Sequence, residues 1–317
     1  MDKQMNLHFE GTNVTLKGNP LNENDKRKFS SFLCSIKGAT IIYRGVNGEY
    51  LRKRYNTDSS EVKLLSDLLF LYGDKGENFC KNLNDNFDIN NTENICFVSI
   101  LKVLKDSFCK RNSNNSSVQR NMPSFVRDNY TAAEGILSFN EDLWWKKIKE
   151  LPEEVKIAIK DYYISFLHTI GKAGYGNFSY FLSTTKDLGQ AQYFRRSDYQ
   201  EGIIIVGWTN NKNIKCEDSL GLKKIVSCYG FPTFETVVFP KQHEITYKCG
   251  LLPNFIIGYY YQDSFEINPW ILEISNMSKV RKEGLPVDQK LFLKLLSKTN
   301  FKSYYSVCDC FYWQQSI

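Results

Sequence analysis

Histidine is scarce in this chain of 317 residues. The three, His8, His168 and His243, are isolated in sequence and suggest neither a metal site nor a catalytic triad. The nine cysteines are odd in number and lack paired ligand spacing. Cys308-Asp309-Cys310 is tighter than a zinc knuckle allows, and no second half follows. Reduced thiols are the simplest account, as in a cytoplasmic protein. No apolar run reaches the ~18 residues that a membrane span needs. The polar opening Met1-Asp2-Lys3-Gln4 predicts no secretory signal, so cytoplasmic residence is the expectation. Internal repeats are not visible. Asn86-Phe87-Asp88-Ile89-Asn90 lacks the glycine and the closing glutamate of a calcium loop.

What is present fits an ordinary globular protein, with 42% hydrophobic and 24% charged residues. The length suits one large domain or two small ones. Aromatics are plentiful, at 22 Phe and 19 Tyr. Part of that surplus is available to line a nucleotide or base pocket. The net charge of +6 permits contact with nucleic acid without demanding it. Basic residues fall in small knots: Arg52-Lys53-Arg54, Lys110-Arg111, Lys146-Lys147, Arg195-Arg196 and Lys223-Lys224. Most of these read as solvated surface.

Patterning predicts a short helix over 26–36 and a β-branched strand over 39–43. Arg44 is expected at the end of that strand, with Gly45 and Gly48 turning the chain. From 58 to 170 the pattern is mainly helical. One helix begins near Ser59 or Ser60, others cover 95–104 and 153–170, and 112–117 is a polar loop. Pro152 suits a helix start. Past residue 178 strands take over: an uninterrupted apolar one at 202–208, then 236–239, 245–247, 255–261 and 270–274. A helix over 287–296 closes the chain. Trp144-Trp145, beside Lys146-Lys147, is read as a helix anchored in its core rather than a stacking platform for bases.

Three segments carry the chemistry: Tyr43-Arg44-Gly45, Phe181-Leu182-Ser183-Thr184-Thr185, and Phe234-Glu235-Thr236-Val237-Val238-Phe239-Pro240. The first supplies a cation, the second hydroxyls and the third a carboxylate. A guanidinium forks onto phosphate oxygens. A carboxylate stabilises positive charge that develops on a sugar ring. Behind Thr185, read as a helix cap, Leu188, Ala191 and Phe194 recur at three-residue spacing. In this order the segments resemble the Arg–Ser–Glu class of mono-ADP-ribosyltransferases, which transfer ADP-ribose from NAD. The resemblance covers residues 39–48 and 178–260.

That resemblance implies an α+β fold, a split, mostly antiparallel β-sandwich of the ADP-ribosyltransferase type. One domain would span 1–317, with a mainly helical lobe inserted at about 58–170. NAD would be the co-substrate, in a cleft between two sheets, with no metal. Tyr43, Arg44 and Gly45 would hold the diphosphate or ribose, and Ser183, Thr184 and Thr185 would orient the ribose. Tyr193 or Phe194 would pack on the nicotinamide, and Glu235 would stabilise the oxocarbenium ion. Glu244, in Gln242-His243-Glu244, mimics the Gln-x-Glu pair of some members and is the rival carboxylate. It lies beyond the expected end of the strand, and Glu235 is preferred. The family keeps Glu two positions before the catalytic Glu for arginine targets and Gln for asparagine and some others. Thr233 stands there and matches neither.

The loop 222–234, with Lys223, Lys224, Tyr229, Phe231 and Thr233, would then meet the acceptor. Single-stranded RNA is the first candidate, with DNA or protein next. An antitoxin or immunity protein is the implied partner, in a toxin or phage-defence setting. An NAD glycohydrolase and a non-catalytic nucleic-acid-binding module on the same fold are the alternatives.

Overall fold

β-Branched and aromatic residues at 203–208 make the strand around which the sheet is built. The computed structural model describes residues 12–49, 94–110, 116–170, 181–195, 202–209, 222–248 and 255–273. Expectations for residues 52–54 and 112–115, the helices from Ser59 and over 287–296, and Cys308 to Cys310 fall outside them. The chain divides into two units. The first is Met1–Glu77, Leu182–Asn213 and Tyr247–Ile317, and the second Asn78–Phe181 and Ile214–Thr246.

The sheet has eight strands: β1 (Asn13–Leu16), β2 (Asn19–Pro20), β3 (Thr40–Val46), β4 (Phe181–Thr185), β5 (Ile203–Thr209), β6 (Glu244–Lys248), β7 (Ile256–Tyr261) and β8 (Ser264–Ile267). Their order is β2-β1-β8-β7-β5-β3-β4-β6. β5 runs antiparallel to β3 from Ile203↔Val46 to Thr209↔Thr40, and antiparallel to β7 on its other side. Ile203, Ile204, Val206 and Trp208 are all buried, which explains the unbroken apolar run. β1 and β8 pair in parallel. Helix α1 (Glu23–Ser35) is capped by Asn22, which accepts from the Asp25 amide at 2.9 Å. It buries Phe29, Phe32 and Leu33, and Phe32 meets Trp208 edge-on at 6.5 Å.

The second unit carries α2 (Asn94–Lys110), α3 (Ser116–Asp128), α4 (Tyr130–Leu137), α5 (Glu141–Lys149), α6 (Glu153–Thr169) and α8 (Leu222–Cys228). The remaining helix, α7 (Leu188–Arg195), belongs to the first. Phe108, Phe125, Phe166 and Phe234 form the aromatic heart of the second unit, with Phe166 and Phe234 only 4.7 Å apart. Trp144 packs on Phe139, Tyr163 and Phe231, so it is a core anchor.

The structure is mixed α/β, and it differs from the sequence expectations in several places. The described strands join one sheet, where two facing sheets were expected. β3 continues to Val46 because its ladder with β5 does, so Arg44 and Gly45 lie inside the strand. Residues 222–228 are helical. Residues 270–272 belong to a short 3-10 turn, Pro269–Leu272, capped by Asn268. Residues 236–239 are not a strand. Their neighbours' amides bond to side chains instead of to a ladder, as described next.

Candidate functional site

Between β3 and β4 the described register is a single pair, Tyr43↔Thr185. Beside it Arg44 donates from Nη1 to the Ser183 carbonyl at 2.7 Å, joining segments 139 residues apart. Arg44 is half-buried, and among the described residues it makes no other hydrogen bond or ion pair. A guanidinium has five N–H donors in a planar fork. One is spent on the β4 backbone, and no carboxylate neutralises the charge among the described residues. Tyr43 is buried, and desolvation, then the nearby Tyr260, hold its phenol far above the usual range. Ser183 is half-buried, while Thr184 and Thr185 are buried.

The chain leaves β4 through two local hydrogen bonds. Thr185 Oγ1 accepts from the Asp187 amide at 2.9 Å, and Asp187 Oδ1 accepts from the Gly189 amide at 2.8 Å. Asp187 is therefore the cap of α7 and Thr185 shapes the turn before it, which corrects the sequence expectation. A Cβ on Gly45 would lie 2.0 Å from the Ala191 carbonyl oxygen. Gly45 thus lets α7 lie directly on β3. Successive residues of a strand face opposite sides, so Arg44 stands on the face away from α7. Tyr193 and Phe194 ride on α7, 67% and 47% exposed, with ring centroids 5.6 Å apart.

Glu235 sits in the second unit, in irregular chain rather than at a strand head. Its amide and that of Thr236 both donate to Asn129 Oδ1, the latter at 3.1 Å. Asn129 Nδ2 donates to the Phe125 carbonyl and to Thr236 Oγ1, at 2.8 and 2.7 Å. Phe234 N donates to the Tyr162 hydroxyl at 2.8 Å, and the Tyr163 hydroxyl donates to the Pro232 carbonyl at 3.0 Å. Side chains from the α3–α4 junction and α6 thus do the work that a neighbouring strand would do. Asn129 gives up capping α4 to do it, for its side chain makes no cap hydrogen bond.

The Glu235 carboxylate is 73% exposed and pairs with Lys223 Nζ at 3.0 Å. It lines a cleft of about 520 Å3 with Asp128, Tyr130, Thr131, Phe231, Pro232 and Thr233. Lys223 is therefore engaged. Phe231 is only 4% exposed, with Lys147 Nζ 4.5 Å above its ring, so it is not a platform for a base. Of the expected acceptor residues, Lys224 and Tyr229 are exposed and Thr233 is half-buried at the cleft.

The carboxylate that does head a strand is Glu244. A turn at Pro240–Gln242 leads to His243, which has a left-handed backbone at φ 46°, and then into β6 at Glu244. The structure thus joins Arg44 to Ser183 in the first unit, and Glu235 to Thr233 and Lys223 in the second.

No cluster of three or more metal-ligating side chains exists among the described residues, and no described helix is long and apolar enough to cross a membrane. No family model, curated protein or solved structure matches the chain.

Proposed function

We propose that the chain is an NAD-dependent mono-ADP-ribosyltransferase, with a fold of that family's type. The observation that supports this most is Arg44. It is a half-buried guanidinium with no acidic partner among the described residues, anchored by one donor to the carbonyl of Ser183. Holding a cation half-buried without a counter-charge costs stability, and a ligand phosphate would supply that charge. Such an arrangement suits the diphosphate of NAD, with Ser183 beside it for the ribose.

In the reaction the ribose C1′–N bond breaks and nicotinamide leaves with the bonding electron pair. An acceptor nucleophile bonds to C1′ and gives up its proton. Positive charge builds on the ribose as the bond lengthens, and a carboxylate gripping the 2′-hydroxyl lowers that barrier. We assign this task to Glu244 in place of Glu235. Glu244 opens β6 and has Gln242 two positions before it, as in the Gln-x-Glu pair of some members of the family. Such chemistry harms the cell that contains it. A cytoplasmic toxin restrained by an inhibitory protein partner is therefore the proposed setting. Release of nicotinamide from NAD by the purified protein tests the reading. No release from the wild type, with or without cell lysate as acceptor, rules it out.

A further inference from the structure

The cleft of the second unit has walls of two kinds. Phe231, Pro232 and Ala132 give apolar surface, and Thr131, Thr233 and the Tyr130 ring stand around it. Two carboxylates, Asp128 and Glu235, line it, and no lysine or arginine among the described residues does; each carboxylate has an ion pair with a residue outside the lining, Asp128 with Arg127 Nε at 3.1 Å and Glu235 with Lys223. Its volume of about 520 Å3 lies within the range of small-ligand sites. One wall is fixed in advance. The chain from Gly230 to Thr236 is held at Gly230 O by Lys147, at Pro232 O by Tyr163, at Phe234 N by Tyr162, and at Glu235 N and Thr236 N by Asn129. A wall fastened at five backbone atoms does not need to be ordered when a ligand arrives.

An internal group already shows what the carboxylate accepts. Lys223 lies outside the lining and reaches Glu235 Oε2 with its ammonium at 3.0 Å. Glu235 is 73% exposed and Lys223 half-buried, so the pair is partly screened by water and can be exchanged for a better partner. We propose that the cleft binds a basic side chain of a polypeptide, with its ammonium or guanidinium on Glu235 and Asp128 and its aliphatic stem along Pro232 and the exposed Tyr130 ring. Lys223 is the competitor that such a ligand displaces. The binding claim stands apart from the transferase reading. It departs from the RNA expectation, because phosphates meet like charge at this lining.

Saturation-transfer NMR on the full chain, without NAD, tests the site with the blocked tripeptides Gly-Arg-Gly, Gly-Lys-Gly and Gly-Gln-Gly, and with spermidine and an octauridine. At least one basic peptide should bind, and the glutamine peptide and the octauridine should not. Glu235→Gln and Asp128→Asn should each weaken the basic peptide about fivefold or more. Lys223→Met should tighten it by a similar factor. Circular dichroism melting checks that each variant folds; Glu235 and Asp128 are exposed, and methionine keeps the aliphatic stem of the half-buried Lys223. Binding unaltered by both carboxylate variants overturns the proposal, and so does weaker binding in Lys223→Met. Spermidine that binds tighter than either peptide overturns the polypeptide ligand. Nicotinamide release is read separately. Peptide binding without release leaves the cleft and removes the transferase, and the reverse removes the cleft alone.

Discussion

At the scale of single residues, position in the chain's elements separates the two carboxylates. Glu235 is paired with Lys223 and faces a cleft of its own, whereas Glu244 opens a sheet strand. Glu244→Gln should lower the rate of nicotinamide release on the order of a hundredfold, the cost of losing a preorganised charge at the transition state. Glu235→Gln should leave the rate within a few fold of wild type. The reverse pattern, read by chromatography of released nicotinamide, would return the assignment to Glu235. Arg44 gives a sharper binding test. Arg44→Ala should weaken NAD about tenfold, as expected for one charge-assisted contact. Arg44→Lys should recover little, because an ammonium cannot both donate to the Ser183 carbonyl and fork onto a phosphate. Calorimetric titration that finds unchanged affinity in Arg44→Ala removes Arg44 from the site.

At the scale of elements, the structure shows why some of the chain was legible and some was not. β5 and the middle of α6 are mostly buried among the described side chains, so their apolar runs are visible in sequence. β3, β4 and β7 likewise follow their β-branched and aromatic residues. The segment 231–239 also looks like a strand, with Phe234, Val237, Val238 and Phe239 in it. Its fate is decided by Asn129 and Tyr162, 106 and 72 residues away from their partners. No local pattern encodes such bonds. Asn129 is 3% exposed and satisfies four groups of its neighbours. Asn129→Ala should therefore cost about 3 kcal/mol, roughly the desolvation of two orphaned amides. Asn129→Asp keeps the acceptor for both amides and should cost less. Urea midpoints compare the two, and equal losses would show that the acceptor is not what matters. Gly45→Ala is the matching test in the first unit. Its new methyl would meet the α7 backbone, which cannot rotate away, so it should destabilise by about 2 kcal/mol or more.

For the whole molecule, the proposed chemistry has a consequence that no single contact carries. An enzyme that consumes NAD and marks macromolecules stops the growth of a cell that lacks its inhibitor. Wild-type protein expressed alone in a bacterial cytoplasm should arrest growth. Binding and aggregation can also arrest growth, so the control must keep the fold and remove only the chemistry. Glu244→Gln meets that need, because it exchanges one carboxylate oxygen for an amide at the head of β6 and leaves the backbone able to pair. It should restore growth at equal protein level, judged by culture density and immunoblot. Arg44→Ala should restore it in part, since weaker NAD binding lowers turnover without abolishing it. The growth of Glu235→Gln cells adds a distinction that purified protein cannot give. If the cleft engages the acceptor, Glu235→Gln should relieve arrest while nicotinamide release in vitro stays near normal. Arrest by wild type, Glu244→Gln and Glu235→Gln alike would mean that the harm does not come from transfer of ADP-ribose.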